Sequence, residues 1–305
     1  MKENIRLAFQ GIWGHKMRSV LTMLGIIIGI AAIITIVSTI QGTNEQIKEN
    51  LIGAGNNVVT VELNQSGYRY DMSWNDIPQG VRTVTEETRR ELEKIHGVES
   101  ASLYCSRNYA DMIFYQNSQF NGEVYGIDLQ YLDVYGYQVK TGRGFTERDY
   151  KNFRKVALVD TTAVNTLFGG ENPVGKVLEM QGEVFTVIGV VALSEEFVPT
   201  INSLNDYWMY ADTSAGSIYI PLAVWPTVYR FDEPQSVAIK VENTDVMTTV
   251  GQKAAEILTE KQIVNKESDF DYRSQDMLEQ AQQLQKMSES TNAQLIWIAS
   301  ISLLV

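Results

Sequence analysis

The stretch HKMRSVLTMLGIIIGIAAIITIVSTIQGTNEQ, residues 15–46, decides the architecture of this chain. Its centre, residues 20–40, carries no charged side chain, and a helix of that length reaches roughly 30 Å, the thickness of a membrane's hydrocarbon layer. The run ends without a convincing small-residue cleavage site, which argues against a secretory signal. It also lacks the polar stripe of a helix in a soluble protein. The sequence therefore predicts transmembrane helix 1 over residues 20–40.

The segment before the span predicts the orientation of the chain. It carries four basic residues: Lys2, Arg6, Lys16 and Arg18. By the positive-inside rule, residues 1–19 are then cytoplasmic. Phe9, Ile12 and Trp13 recur at helical spacing among polar residues, which predicts an amphipathic helix in contact with membrane lipid, although a simple start of the anchor fits the same pattern. Within the span, Gly25 and Gly29 form a G-x-x-x-G face suited to helix packing.

A second apolar segment closes the sequence and suggests a second membrane helix. Residues 293–305 are uncharged but too few to cross a bilayer, so we expect the natural chain to continue beyond Val305. Helical stalks are predicted beside both apolar segments, over residues 41–57 and 274–292. Their apolar faces contain Ile47, Leu51, Leu278, Ala281 and Leu284.

Residues 41–292, between the two apolar segments, are predicted to be extracytoplasmic. The whole chain has a formal net charge of −12, and four of its basic residues precede the span, so this region is more acidic still. An acidic surface of this kind argues against nucleic acid as a partner. The single cysteine, Cys105, excludes a disulfide within the chain, so an apolar core must hold the domain together.

The pattern between the spans predicts an α+β domain. Residues 58–63, VVTVEL, alternate like a strand; residues 85–97, TEETRRELEKIHG, are typical of a helix; and residues 98–104, VESASLY, alternate again. This order predicts a β-α-β subdomain over residues 58–122, completed by a second strand and helix within residues 226–273. Residues 123–225 are rich in short strands and turns, including a Gln181-Gly182 turn, and predict an inserted β-rich subdomain.

One short motif suggests nucleotide chemistry but does not support it. GGENPVGKV, residues 169–177, contains the G-x-x-x-x-G-K spacing of a phosphate-binding loop. Val177 replaces the hydroxyl residue that would bind Mg²⁺, and Pro173 removes a backbone N–H from the cradle. His15 and His96 fall on opposite sides of the predicted membrane, so they cannot share a metal ion or an active site. No cofactor and no metal site are therefore predicted in this chain.

Two aromatic clusters lie in segments that are predicted to be loops. The first contains Tyr68, Tyr70 and Trp74, and the second contains Tyr207, Trp208 and Tyr210. Exposed aromatic residues often mark a surface that contacts a partner or substrate, but a loop folded onto its own domain would have the same composition.

Several motifs together resemble the permeases of the MacB/FtsX-like ABC transporter family across essentially the whole chain. They are LAFQGIWGHKMRSVLTMLGIIIGIAAIITI, GAGNNVVTVEL, GRGFTERD, ALVDTTAVNTLFGGENPVGKVLEMQGEVFTVIGVV and IYIPLAVW. The resemblance implies a multi-pass protein of the bacterial plasma membrane, with a porter-like extracytoplasmic domain between its first and second membrane helices. It also implies a non-catalytic subunit that works with a cytoplasmic ABC ATPase, which binds ATP and Mg²⁺, and with a second permease copy or paralogue. Some members also use an adaptor protein.

The same resemblance implies a mechanism and leaves others to be weighed. Family members transmit motion: closure of the ATPases moves the membrane helices, and the stalks relay that motion to the outer domain. The cargo would be an antibiotic, a peptide or a lipoprotein. A rival interpretation is the extracytoplasmic sensor domain of a signalling receptor, flanked by two helices. A membrane-anchored hydrolase is a third, for which no nucleophile–base pair is visible.

Overall fold

The computed structural model describes residues 57–193, 215–265 and 269–275, together with isolated residues between 16 and 42. The chain divides into two compact units, Met1–Glu49 with Gln282–Val305, and Asn50–Ala281. In the first unit the described residues are helical and expose large apolar side chains such as Leu24 and Ile34. No helix within the described residues is both long and apolar enough to cross a membrane.

Of the individual residues predicted for helix packing, the interfacial helix and the stalks, the structure describes Gly25 alone. Gly25 is helical, and a Cβ atom added there would meet nothing within 4 Å. The other residues predicted for helix packing, the interfacial helix and the stalks lie outside the described residues: Gly29, Phe9, Ile12, Trp13, Ile47, Leu51, Leu278, Ala281 and Leu284.

The second unit is built on one mixed sheet, which has thirteen strands in the part of the chain described. The strands are β1 (Val58–Gln65), β2 (Tyr68–Arg69), β3 (Val98–Arg107), β4 (Ile113–Tyr115), β5 (Ser118–Phe120), β6 (Glu123–Ile127), β7 (Tyr137–Gly142), β8 (Val156–Asp160), β9 (Val177–Met180), β10 (Glu183–Leu193), β11 (Ser217–Pro221), β12 (Ser236–Val241) and β13 (Phe270–Gln275). Their order is β13-β1-β12-β3-β6-β11-β8-β10-β9-β4-β5, with β2 paired to β1 and β7 paired to β10. The predicted α+β class is confirmed.

Helices connect the strands at several points. They are α1 (Glu86–Leu92), α2 (Tyr131–Tyr135), α3 (Glu147–Lys151), α4 (Thr161–Phe168), α5 (Trp225–Val228) and α6 (Met247–Gln262), with short 3₁₀ turns at Leu222–Val224 and Thr244–Val246.

The helix predicted over residues 85–97 begins as expected, because the Thr85 hydroxyl accepts a hydrogen bond from Thr88 N at 3.3 Å. It ends at Leu92, and a turn then reaches Gly97, whose φ of +91° favours glycine.

The β1-α1-β3 order forms a split unit rather than two adjacent strands. Strand β12 lies between β1 and β3 and is antiparallel to both, so β1 and β3 run parallel. On the other side of β1, β13 pairs antiparallel, with Thr60 opposite Gln275. Residues 274 and 275 therefore belong to a strand, two residues into the stretch predicted as the second stalk helix, because the β1 backbone binds them.

The predicted turn at Gln181-Gly182 is confirmed. It joins β9 and β10 in a hairpin, with Met180 opposite Glu183. Gln181 has a φ of 53° and Gly182 a φ of 81°, the two positive values that a tight two-residue hairpin turn requires. Between β8 and β10, the Asp160 carboxylate caps α4 by accepting from Ala163 N at 2.6 Å.

Alternation along the strands sorts the buried side chains into clusters on two faces of the sheet. Along β3, Leu103 and Cys105 point to one face, and Tyr104, between them in sequence, points to the other. We name the first cluster core A: Val59, Val61, Leu63, Val81, Val84, Leu92, Ala101, Leu103, Val237, Ile239, Val241, Met247, Val250, Ala254, Leu258, Ile263 and Tyr272.

Core B lies beyond β3, around β8, β10 and β11. It consists of Cys105, Ala110, Ile113, Phe120, Val124, Ala157, Val159, Ala163, Leu167, Phe168, Leu178, Met180, Phe185, Val187, Val190, Ile218, Ile220, Val224 and Trp225. Leu222 packs against both cores. The opposite face holds a tyrosine-rich cluster, in which Tyr125 stacks on Tyr219 with ring centroids 5.6 Å apart.

Candidate functional site

At one end of strands β1, β12 and β3 the described chain enters and leaves the domain, and at the other end lie three loops. The described part of the chain enters β1 at Val58 and leaves β13 at Gln275, and these two positions lie at the same end of the paired strands. We call this the connection end. At the opposite end lie the loops of residues 66–82, 108–112 and 229–235, which follow β1 and β3 and precede β12. We call this the loop end.

The loop end displays large aromatic side chains to solvent. Tyr68 is 80% exposed, Trp74 is 77% exposed and Phe231 is 71% exposed, and Tyr109 is exposed as well. Tyr70 behaves differently: its ring meets Phe270 edge to face at 5.1 Å, and its hydroxyl donates to Asp76 O at 2.7 Å. The first predicted aromatic cluster is thus divided, with Tyr68 and Trp74 available for contact and Tyr70 fixing the loop.

The second predicted aromatic cluster belongs to residues outside the described part of the chain. Tyr207, Trp208 and Tyr210 are among these residues. The chain is described again from Ala215, next to which Gly216 O accepts a hydrogen bond from Glu123 N at 2.9 Å. Gly122 O in turn accepts from Ala110 N at 3.1 Å. Residues 215 and 216 therefore adjoin the 108–112 loop at the loop end.

Backbone contacts hold the 66–82 loop in one conformation. Ser66 and Gly67 both have positive φ values at the turn into β2, and Tyr70 N donates to Leu63 O at 2.8 Å. Arg230, from the neighbouring loop, donates to Asn75 O at 2.6 Å and lies 3.1 Å from the carboxylate of Asp76. These contacts join two of the loops that carry exposed aromatic rings.

A buried ion pair lies beneath these loops. Arg107, the last residue of β3, binds Glu233, and their side chains are only 8% and 2% exposed. The second carboxylate oxygen of Glu233 accepts from the Trp225 indole N–H at 2.6 Å. The Arg107 guanidinium also lies over the rings of Trp225 and Tyr229, at 5.2 Å and 4.7 Å. Both charges are therefore fully engaged, and they form a rigid base for the loop end.

A second buried carboxylate lies on the opposite face of the sheet from core A, beside Tyr104 of the tyrosine-rich cluster. Glu62 forms an ion pair with Arg69 at 2.9 Å and accepts a hydrogen bond from the Tyr104 hydroxyl at 3.1 Å. Burial raises the pKa of Glu62, and the Arg69 charge and the Tyr104 hydroxyl only partly oppose that rise.

A cavity of about 200 Å³ opens beside the ion pair. Its lining includes Leu222, Trp225, Phe231 and Glu233, and it is bordered by Cys105. The Cys105 thiol is buried, and this burial raises its pKa well above the usual value. Pockets for drug-sized ligands usually measure about 300–1,000 Å³, so this cavity suits a single large side chain or a small ring.

The structure also describes the surroundings of the phosphate-loop-like motif and of one of the two histidines. Lys176 of the phosphate-loop-like motif binds Glu171 at 2.5 Å and lies over the Tyr115 ring at 5.3 Å, so its charge is already engaged. His96 is exposed, and His15 lies outside the described residues. Within the described residues, no group of three or more His, Cys, Asp or Glu side chains is arranged to hold a metal ion.

Comparison with known proteins places this architecture. Residues 19–257 match the family model described as the MacB-like periplasmic core domain. The chain belongs to the MacB-like family of ABC transporter permeases. The predicted resemblance is thereby confirmed, and the matched domain makes this MacB-like permease a membrane protein with an extracytoplasmic segment.

Relatives of this MacB-like permease are found in several bacteria. It is 33% identical to the uncharacterized ABC transporter permease YvrN of Bacillus subtilis (strain 168), over 99% of this chain and 72% of YvrN. It is 29% identical to the macrolide export ATP-binding/permease protein MacB of Aggregatibacter actinomycetemcomitans, over 100% of this chain but 44% of MacB. In fold it resembles the crystal structure of the periplasmic region of MacB from Actinobacillus actinomycetemcomitans, with a TM-score of 0.53, 24% identity, and coverage of 77% of this chain and 96% of that one.

Sequence reasoning missed the residues that stiffen the loop end. Arg107 and Glu233 are 126 positions apart, and nothing in the local pattern of either residue indicates that it is buried or paired. Trp225 lies in a segment that was predicted only as part of a strand-rich region. The available signal was a tryptophan next to Pro226, a position typical of a helix start rather than a strand.

Proposed function

We propose that this chain is the permease subunit of an ABC transporter in which a separate cytoplasmic ATPase drives motion of the extracytoplasmic domain. That motion would extrude a cargo such as an antibiotic, a peptide or a lipoprotein. One observation carries the proposal: the strands by which the chain enters and leaves the domain are hydrogen-bonded neighbours, with Thr60 opposite Gln275. Movement arriving along either connecting segment therefore reaches the same edge of the sheet.

The geometry of this strand pair favours joint movement. Because β1 and β13 are antiparallel and both connections lie at one end, displacing both segments together moves the pair as one body. Separating the two segments would instead open the pair one hydrogen bond at a time. The β1–β12 and β12–β3 pairings continue from β1 toward the Arg107–Glu233 base, so a joint displacement would be carried through rigid elements to the loop end.

In this proposal the chemistry of ATP hydrolysis belongs to a partner. The ATPase would bind ATP and Mg²⁺, and this chain would contribute the membrane helices and the moving domain. A second permease copy or a paralogue would complete a dimer in the bacterial plasma membrane. Support comes from the relatives, because YvrN is named a permease, whereas MacB is named an ATP-binding and permease protein of which this chain covers under half.

The loop end is the proposed contact surface for cargo or for an adaptor protein. Exposed aromatic rings supply much of the binding energy in many protein interfaces. Here Tyr68, Trp74 and Phe231 are exposed on loops that are joined by the hydrogen bond from Arg230 to Asn75 O. The adjacent cavity of about 200 Å³ fits one side chain of such a partner.

The proposal is tested by isolating the full-length membrane protein in mild detergent, identifying the chains that copurify and measuring ATP turnover. We expect an ABC ATPase to copurify. A short glycine insertion directly after Gln275 should reduce substrate-stimulated turnover, because it breaks the rigid connection to β13. The matched control is the same insertion in the exposed Gln116-Asn117 turn, which joins β4 to β5 at the opposite end of the strand order from β13 and should leave turnover unchanged. Copurification of a kinase or response regulator instead would overturn the proposal in favour of a sensor.

A further inference from the structure

A groove of about 550 Å³ runs between helix α6 and strand β13. Its helix wall includes Glu256, Thr259 and Glu260, and its strand wall includes Phe270 and Tyr272. We propose that this groove docks an extended, basic segment of a partner polypeptide, which adds a strand to the edge of the sheet. The groove is separate from the loop end, and the inference does not depend on the proposed transport function.

The strand wall offers an edge for pairing. Within the described residues β13 is the last strand of the sheet, with β1 on one side. Tyr272 N points away from β1 and donates to the Thr259 hydroxyl at 2.9 Å. Residues two apart in a strand face the same edge, so the backbone groups of Phe270 and Ser274 share this orientation. Helix α6 contacts this edge through the Thr259 hydroxyl at Tyr272 and through Gly251 at Ser274, so an incoming backbone carbonyl would take the place of the Thr259 hydroxyl.

Ile263, together with Phe270 and Tyr272 of the strand wall, forms an apolar and firmly packed part of the groove, which we call the floor. Tyr272 and Ile263 are buried in core A, and Phe270 is held edge to face by Tyr70 at 5.1 Å. The floor therefore keeps its shape without an occupant, which lowers the entropic cost of binding. Alternate apolar side chains of an extended segment would contact this floor.

The helix wall selects for positive charge. Glu256 and Glu260 are exposed and lie one turn apart on the same face of α6. Like charges at this spacing repel each other on a helix, and the nearby ammonium group of Lys261 is engaged by Glu91. Four helical residues advance about 6 Å and two strand residues about 6.6 Å. Basic side chains at alternate positions of an extended segment would thus match the two carboxylates.

The same charges argue against a second copy of this chain as the occupant. Pairing β13 with its own counterpart would bring the two glutamates of each copy together, in a chain whose formal net charge is −12. Like charges that face each other across an interface weaken binding, whereas a basic segment is attracted to the groove and associates faster.

The test uses the full chain in detergent and a fluorescent synthetic peptide of alternating lysine and valine, with binding followed by anisotropy. We expect binding that weakens as salt is added, and at least tenfold weaker binding to the Glu256→Gln/Glu260→Gln double variant. The matched control replaces two exposed carboxylates elsewhere, Glu179→Gln with Glu242→Gln, and should bind like the original chain. A peptide of alternating glutamate and valine should not bind.

Two further measurements separate strand addition from simple charge attraction. A peptide N-methylated at alternate residues keeps its lysines but cannot pair on one edge, and we expect it to lose binding. Amide hydrogens of residues 270–274 should exchange more slowly when the unmodified peptide is bound. Equal binding of the methylated peptide, or of the Glu256→Gln/Glu260→Gln variant, overturns the inference. Concentration-dependent dimerisation that slows amide exchange of residues 270–274 without any peptide would assign the groove to a second copy, and would also overturn it.

Discussion

Core A and core B lie on the same face of one sheet but draw on the chain in different ways. Core A brings together residues 58–65, 236–241 and 270–275, so its central strands come from both ends of the domain. Core B is built from residues 105–225, where, within the described residues, only the β4–β5 and β9–β10 pairs are hairpins and Ser217 of β11 lies opposite Glu123 of β6. Core A therefore depends on contacts between the two ends of the domain, whereas core B combines two hairpins with longer-range pairings inside its own range of residues.

This difference matters because the chain enters and leaves the domain through core A. The chain enters the domain at β1 and leaves it at β13. Core B is joined to core A through the β3–β6 strand pairing and through Leu222, which packs against both cores. In the proposed mechanism, the half with the most distant pairings would be the first to move with the connecting segments. The changes below, in order of decreasing expected effect, test how tightly the two cores are joined.

The largest effect is expected at the buried Arg107–Glu233 ion pair, which links the end of β3 to the segment before β12. Arg107→Ala would leave Glu233 buried without its counter-charge, and we expect a loss of about 4 kcal/mol in the free energy of unfolding, measured by urea titration with circular dichroism. Removing both charges, with Arg107→Met and Glu233→Gln, should recover most of that loss. A cost below about 1 kcal/mol for Arg107→Ala would show that the pair does not join the cores.

A smaller loss is expected from a cavity within core B. Phe185 is fully buried, and Phe185→Ala should cost about 3 kcal/mol through lost burial and the space left behind. Because the sheet is continuous, we expect faster hydrogen exchange in β1 as well as in β10. Acceleration confined to β8, β9 and β10 would mean that core B opens independently of core A.

The next prediction concerns a carboxylate beside core B. Asp149 is buried, which by itself would raise its pKa, but hydrogen bonds from Arg143 and Thr146 outweigh this and lower the pKa to about 2. A folded-state pKa below the ordinary 3.8 gives stability that is present above pH 4 and lost as pH falls toward 2. Asp149→Asn should cost about 2 kcal/mol at neutral pH and flatten that acid dependence in thermal melts. The exposed neighbour Glu147 provides the control, since Glu147→Gln should change stability by less than about 0.5 kcal/mol.

The smallest effect is expected at Glu62, a carboxylate on the face opposite core A whose pKa is shifted in the other direction from that of Asp149. The pKa of Glu62 is raised by burial, so the folded state holds its proton more tightly than the unfolded state. This gives stability that is present below the ordinary pKa of 4.5 and lost as pH rises through the higher folded-state pKa. Glu62→Gln should remove this loss and raise stability at neutral pH by up to about 1 kcal/mol. A variant that is less stable than the original at neutral pH would show that the Arg69 contact outweighs burial.

Patterns with a local cause were predicted well. Alternation identified β1 and β3, and the Gln181-Gly182 pair identified its hairpin, because each depends on residues close together in sequence. Strand β13 was not predicted as a strand: FDYRSQ is polar, and its extended conformation comes from pairing with β1, more than two hundred residues earlier.

The candidate site was predictable only in part. The aromatic composition of residues 68–74 drew attention to a loop that does expose aromatic rings, but composition could not distinguish Tyr68 and Trp74, which face solvent, from Tyr70, which packs on Phe270. The ion pair beneath the loops was not predictable, since a charged residue is normally expected at the surface until its partner is known. The groove beside α6 depends on which strand ends the sheet, a property of the tertiary fold alone.

The burial of Cys105 makes this chain convenient for spectroscopy. It is the only cysteine in the sequence, and its thiol lies inside core B with a raised pKa, so maleimide and methanethiosulfonate reagents should largely spare it. A reporter cysteine at an exposed position such as Ser66 would then carry a spin label or fluorophore without prior removal of the native residue. Distances between two such labels would record any movement within the domain in otherwise unaltered protein.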